Sequence, residues 1–290
     1  MPRLRLLLAL LALLPGVSVG EEAVVRRELS VLTYNAHGLP SWIANDRPEH
    51  RLPQVSRLIN AYDVALIQED YFHPGLLRES AEHELVADGN GSRFASARFF
   101  TFLKGSGLTS FVDFPQERVA TVVAEAYGSC SGWLAAGNDC WATKGFLLVR
   151  LRIAPGAELD VVQTHLDAGG SREDRQVRAQ QLDQLRARLL DLSGERALIV
   201  AGDLNLRREE PADQALLAEF VDWLSLEDTG ARGGDAWRPL DYLLYRGGKG
   251  LALEVLEAGE ALEFVSEGEP LSDHPALFTR FRLAPAGSRP

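Results

Sequence analysis

Five short polar stretches punctuate the chain, each where an apolar run ends: Thr33-Tyr34-Asn35, Gln68-Glu69, Thr164-His165-Leu166-Asp167, Gly202-Asp203-Leu204-Asn205 and Ser272-Asp273-His274. They supply carboxylates, carboxamides and two imidazoles. Hard oxygen donors of this kind suit Mg²⁺, which takes one or two carboxylates and leaves its other positions to water and phosphate. Histidine is the usual acid or base near neutral pH. Any one stretch has a bland reading as a turn or a solvated strand end. The ordered set points to metal-assisted hydrolysis of a phosphodiester.

Asn35 and Glu69 both close apolar runs, and neighbouring strands would bring these ends to one sheet edge as a Mg²⁺ site. Asp70, beside Glu69, is the alternative carboxylate. Asp203 and Asn205 lie two apart, so an extended segment points both the same way, toward one phosphate. Gly202 lets the backbone turn there. His165 ends the run Val161-Val162-Gln163-Thr164, and His274 follows Asp273. Asp241, at the start of Asp-Tyr-Leu-Leu-Tyr, is placed to accept a hydrogen bond from a catalytic imidazole and fix its tautomer. His37, His50, His73 and His83 lack such neighbours and are set aside.

The elements that must position these groups follow from periodicity. Strand-like runs cover 29–35, 64–68, 118–126, 145–153, 159–164, 197–202, 240–245 and 276–283, rich in β-branched and aliphatic residues. Several are apolar throughout, as strands covered on both faces are. Helical patterns fall at 48–60, 171–192 and 211–224, and Ser171 with Asp174 resembles a capping box. Helices alternate with strands early and strands come in runs later, which predicts two packed sheets with helices outside. No internal repeat or linker interrupts residues 21–284, so one domain is expected, with 285–290 as a frayed tail.

At 290 residues and 46% hydrophobic the chain can bury a large core. Arg3 and Arg5 precede the apolar stretch Leu6–Leu14, and Ser18-Val19-Gly20 supplies small residues before Glu21. This reads as a signal peptide over 1–20, whose apolar stretch is too short to span a bilayer, which needs about 20 apolar residues, with an uncleaved anchor helix as the alternative. The protein is expected to be exported, secreted or periplasmic. Cys130 and Cys140 are its two cysteines. An oxidising compartment makes one short-loop disulfide the natural reading and two free thiols the alternative. The formal charge is −11, and removing residues 1–20 takes away two arginines and no acid. Polyanions gain affinity from basic side chains, so nucleic acid is an unfavoured partner. Without heptads or an apolar stripe, a monomer is expected.

The five stretches in this order, with Asp241-Tyr242, resemble the endonuclease/exonuclease/phosphatase superfamily, of DNase I-like fold, over nearly all of residues 28–283. The resemblance implies a four-layer α/β/β/α sandwich of two packed mixed sheets with Mg²⁺ at one end, or Mn²⁺ or Co²⁺ in its place. It implies that Asn35, Glu69 and Asp273 bind metal and that Asp203 and Asn205 hold phosphate or activate water. His165 would stabilise phosphoryl oxygens or the leaving group, and His274, oriented by Asp241, would be the general base. Gly38-Leu39-Pro40, Gly105-Ser-Gly-Leu108, Thr143-Lys144-Gly145-Phe146, Thr164-His-Leu-Asp-Ala168 and Pro270-Leu-Ser-Asp-His274 look like the neutral sphingomyelinase branch. That branch implies hydrolysis of a phospholipid head-group ester at a membrane surface, with a nuclease or another phosphoesterase of the fold as alternatives. It places a lysine, with an aspartate five residues earlier, beside the active site; Lys144 and Asp139 have that spacing, and Lys144 is one of only three lysines. Secreted bacterial members carry a disulfide just before this loop, matching Cys130 and Cys140. Two departures stand out. The stretch between Leu226 and Asp241 holds only Gly-rich sequence with Trp237 in place of an aromatic hairpin, leaving Trp133 and Trp141 as substitutes for membrane contact. Before Asp241 stands Arg238-Pro239-Leu240, where the family has Arg-Ile.

Overall fold

Apolar runs closed by single polar residues become the inner strands of two sheets. The computed structural model describes residues 28–44, 46–91, 105–132, 136–234 and 239–287. The expected signal peptide, Trp133, Trp237, Arg238 and the last three tail positions lie outside the described residues. In chain order, one sheet is built from β1 (Glu28–Asn35), β2 (Val64–Gln68), β3 (Leu85–Asp88), β4 (Thr109–Val112), β11 (Ala252–Glu260) and β14 (Leu277–Ala284), running β11-β14-β1-β2-β4-β3. The other is built from β5 (Val119–Ala126), β6 (Gly145–Ala154), β7 (Ala157–His165), β8 (Ala197–Asp203), β9 (Glu227–Asp228) and β10 (Asp241–Arg246), running β5-β6-β7-β8-β10-β9. A small hairpin, β12 (Val265–Ser266) with β13 (Glu269–Pro270), lies between β11 and β14. Each large sheet holds one parallel pair, β1 with β2 and β7 with β8, among antiparallel neighbours. Both sheets are therefore mixed, as expected.

The layers follow from which face each strand buries. Leu29, Val31, Val64, Leu66, Leu147, Val149, Val161, Ile199 and Leu243 fill the space between the sheets. On one outer face, α2 (Pro48–Leu58) packs Leu52 and Val55 against Leu32, Ala65, Ile67 and Phe111. On the other, α4 (Arg172–Leu192) and α5 (Pro211–Leu224) bring Leu182, Leu185, Leu189 and Phe220 onto Phe146, Leu148, Val162 and Val200. The short helices α1 (Ser41–Ala44) and α3 (Pro74–Arg78) flank α2 in the chain. The result is the α/β/β/α sandwich.

The α4 start is the expected capping box: Asp174 N–H donates to Ser171 Oγ at 3.1 Å, and Ser171 N–H donates to Asp174 Oδ2 at 2.8 Å. The helix predicted over 48–60 stops at Leu58 and closes with a 3₁₀ turn, Ile59–Ala61. β3, β4 and β11 were not legible as strands. β11 reads Ala-Leu-Glu-Val-Leu-Glu-Ala, a helix-favouring composition; pairing with β14 along its length overrides that preference. Cys130 and Cys140 form a disulfide, which removes the free-thiol alternative. The described part of the tail is exposed, with the Ala286 N–H donating to Gly250 O at 3.3 Å. No described helix is long and apolar enough to cross a membrane.

Candidate active site

Strand register gathers the polar stretches at one edge. Asn35 pairs with Gln68 at the ends of β1 and β2. His165 pairs with Asp203 at the ends of β7 and β8, and Asp203 also pairs with Asp241 at the start of β10. Gly145, next to Lys144, pairs with His165. A parallel pair presents two C-terminal strand ends side by side, and both sheets do this at the same end.

Asn35 joins the two halves. Its Nδ2 donates to Glu69 Oε1 and to Asp203 Oδ2, each at 3.1 Å, and its Oδ1 accepts the His37 N–H at 3.0 Å. Asn35 thus bridges two carboxylates through its amide nitrogen; the expected metal-ligating carbonyl is turned to the backbone. Glu69 reaches this bridge, whereas Asp70 turns away to accept from Thr109 Oγ1 at 2.9 Å. Burial pushes the Asp70 carboxyl up to about 6. Glu69 adopts φ +62°, and His37 and Asn205 also lie in the left-handed region at +47° and +51°. Such backbone is costly for non-glycine residues and clusters at functional sites. Gly38 is required by proximity: a Cβ there would lie 2.5 Å from the Glu69 carbonyl oxygen.

Asp203 is the hub of the other sheet. Its Oδ1 accepts from Asn205 N–H at 2.9 Å, and its Oδ2 lies 3.4 Å from His165 Nε2 and 3.8 Å from His274 Nε2. Burial pushes its carboxyl upward, against the pull of His274 and Lys144. Asn205 sits beside it, with its Nδ2 donating to Leu166 O at 3.0 Å. His274 Nδ1–H donates to Asp241 Oδ2 at 2.7 Å, which leaves Nε2 as the atom free for proton exchange. Burial alone would lower the His274 pKa, but Asp241 and then Asp203 outweigh it and hold it up at about 10.

Lys144 and Asp139 join the cluster through His165. The Lys144 ammonium, only 2% exposed, donates to His165 Nε2 at 2.7 Å and lies 3.5 Å from Asp139 Oδ1. Asp139 Oδ2 accepts from Ala168 N–H at 2.6 Å. Burial, then Lys144 and His274, hold His165 well below the usual histidine range. It is a neutral ring whose Nε2 is occupied and whose Nδ1 is buried without a partner. At 1% exposure it is as buried as Asn35 and Asp203, within 3.4 Å of the Asp203 carboxylate.

Asp273 stands apart. Its side chain is 62% exposed, and its Oδ1 lies 3.5 Å from His37 Nδ1 and 3.3 Å from Ser272 Oγ. Ser272 Oγ also donates to Asn35 O at 2.6 Å, tying this loop to β1. His37, set aside in the sequence, is at the rim; its place two residues after Asn35 was the available signal. Asp167 proves structural, its carboxylate accepting from Ser131 N–H at 2.6 Å and Gln181 Nε2 at 2.6 Å, which moors the disulfide loop to α4. Trp141 is half-buried, and Trp42 on α1 is exposed. A cavity of about 830 Å³ lies by the β6–β7 turn at Pro155 and Gly156 and shares no residue with this cluster.

The donor set fits a divalent cation. Glu69 Oε2 is buried with no hydrogen-bond partner, an atom of the kind a hard cation takes. Ligand atoms of Asp203, Asp241 and His274 also lie within 4.8 Å of one another.

The sequence pattern of the Endonuclease/Exonuclease/phosphatase family matches residues 32–274. Comparison with curated protein sequences gives no match. Among solved structures, sphingomyelinase C from Streptomyces griseocarneus is similar at 20% identity and TM-score 0.64, covering 87% of this chain and 99% of that one. A beta toxin mutant from Staphylococcus aureus with bound magnesium ions is similar at 16% identity and TM-score 0.65, with 87% and 99% covered. A family protein from Bacteroides thetaiotaomicron gives 15% identity and TM-score 0.61, with 88% and 94% covered. At these identities the structures speak for the fold, and the match over 32–274 assigns the chain: it belongs to the Endonuclease/Exonuclease/phosphatase family.

Proposed function

We propose that the protein is an exported, Mg²⁺-dependent phosphodiesterase of the sphingomyelinase C type, acting as a monomer on the head-group ester of a phospholipid. The observation that carries the reaction class is the row Asp241–His274–Asp203, facing Glu69 across the Asn35 bridge. Asp241 holds the His274 tautomer, so Nε2 is the atom that takes a proton from the attacking water. A ring held at about 10 keeps its own proton at neutral pH unless further positive charge offsets its carboxylates. Glu69, with Asp273 at the rim, would hold a divalent cation, which would supply that charge and polarise the phosphoryl oxygens. Asp203 and Asn205 orient water and phosphate. Lys144, buried against His165, keeps that ring neutral and adds a fixed cation beneath the developing negative charge.

Three features support lipid over nucleic acid. The chain is acidic, the disulfide suits an exported protein, and exposed apolar side chains sit at the site end. Trp42 is 69% exposed shortly after β1, and Leu262 is 73% exposed shortly after β11. These two strands run the same way, each antiparallel to β14, so both side chains follow strand ends at the catalytic edge.

Purified protein offered sphingomyelin vesicles, phosphatidylcholine vesicles and plasmid DNA, with Mg²⁺ and with EDTA, tests this reading. The expected result is Mg²⁺-dependent release of a phosphorylated head group, lost in His274→Ala. DNA nicking without lipid hydrolysis would refute the lipid assignment.

A further inference from the structure

Arg51 lies on α2, outside every polar stretch that marks the site, yet it bonds to both loops that frame it. Its side chain is 13% exposed. Nη1 donates to Ala36 O at 3.1 Å and to Leu271 O. Nη2 donates to His37 O at 2.9 Å and to Asp46 Oδ2. Ala36 and His37 directly follow Asn35. Leu271 directly precedes Ser272-Asp273-His274. One guanidinium therefore fastens the loop that sets the Asn35–Glu69 bridge to the loop that carries the base, two segments more than 200 positions apart in the chain.

We propose that Arg51 is a positioning residue that fixes the separation between the Glu69 end and the His274 end of the site. Three observations converge. The loop after β1 lacks regular hydrogen bonding of its own at His37, whose left-handed backbone at φ +47° needs outside support. The Asp273–His274 loop also meets this segment through the Ser272 hydroxyl, which donates to Asn35 O, and through Asp273 Oδ1, 3.5 Å from His37 Nδ1. Only a planar fork can serve three carbonyls and a carboxylate at once; a lysine ammonium has three donors on one atom and cannot span both loops in this way. Asp46 balances the charge, so the clamp is neutral overall and adds no net cation to the site.

The inference rests on the phosphodiesterase reading for its effect on turnover, but the clamp itself is measurable without it. Amide hydrogen exchange on Arg51→Lys should show faster exchange in residues 36–46 and in 271–276 together, by about tenfold or more, with the sheet cores unchanged. Faster exchange in one loop alone, or in neither, overturns the proposal. If Arg51→Lys does not fold, Arg51→Gln, which keeps two donors, is read the same way. In the active enzyme, kcat should fall roughly 10²-fold, with KM within about twofold, because displacement of a catalytic group by ~1 Å costs on that scale. Free guanidinium should restore part of the kcat of Arg51→Ala. Wild-type turnover with loosened loops overturns the positioning role. An inactive wild type would sink the proposed function and leave the exchange result to decide the clamp.

Discussion

The disulfide joins a stability argument to a catalytic one. Cys130 and Cys140 are 10 positions apart, so opening the bond releases a loop of about ten residues in the unfolded chain. The chain-entropy relation gives about 2.7 kcal/mol for a loop of that size at 25 °C. For domains of 150–250 residues each kcal/mol moves Tm by about 2–4 °C, so Cys130→Ser/Cys140→Ser should melt roughly 5–10 °C lower. A second effect arises from place. Asp139 neighbours Cys140, lies 3.5 Å from Lys144 and accepts the Ala168 N–H. Ser131 neighbours Cys130 and is held by Asp167. Loss of the bond should therefore free Asp139, let Lys144 move off His165, and lower kcat more than it raises KM. Scanning calorimetry and steady-state hydrolysis, on the double mutant and on wild type with and without reductant, measure both. A Tm within about 1 °C of wild type would refute the entropic estimate. A normal kcat at the lowered Tm would refute the coupling through Asp139.

Other substitutions probe separate parts of the site. Gly38→Ala should destabilise by about 1–3 kcal/mol, because its Cβ would press on the Glu69 carbonyl; it should also raise the Mg²⁺ concentration needed for half-maximal activity, readable by metal titration. Asp241→Asn removes the anion holding His274 Nδ1–H, and kcat should fall by about 10²–10⁴, with a fold by circular dichroism like that of wild type. His83 donates from Nε2 to Tyr62 O at 2.9 Å, and burial lowers its pKa. The unfolded chain therefore takes up a proton first as pH falls: the His83 contribution is complete above about pH 6.5 and is lost as pH drops toward the lowered folded value. His83→Gln should flatten the acid limb of a Tm-against-pH curve, and an unchanged slope between pH 7 and 5 would count against it.

Strand ends were legible because a buried strand reads as an unbroken apolar run, and the residue that breaks it must sit at an edge. This is why Asn35, Glu69, His165 and Asp203 were visible before any geometry. What lay on helices or in loop backbone was not. Arg51 looks like any arginine on an amphipathic helix, since nothing local says that its partners are carbonyls from two distant loops. The orientation of the Asn35 amide depends on the His37 N–H, a backbone donor without a side-chain signature. Asp167 carried the same motif grammar as its neighbours, yet serves the disulfide loop, because its fate was decided by Gln181 one helix away. β11 shows the converse, a helix-like composition drawn into a sheet by its neighbour.

β1 lies between β2 and β14, and Glu28 stands opposite Arg282. One flank of β1 can form soon after β2 emerges; the other waits for a partner about 250 positions later, a non-local pairing of the kind that slows folding. Asn35 and His274 sit on either side of that late seam. On refolding, hydrolytic activity should therefore return with the slow phase that docks β14, well after helical signal has recovered. A chain interrupted before Ser272 would lack β14, leave β11 without its partner and β1 with one flank open, and leave the chemistry unmade.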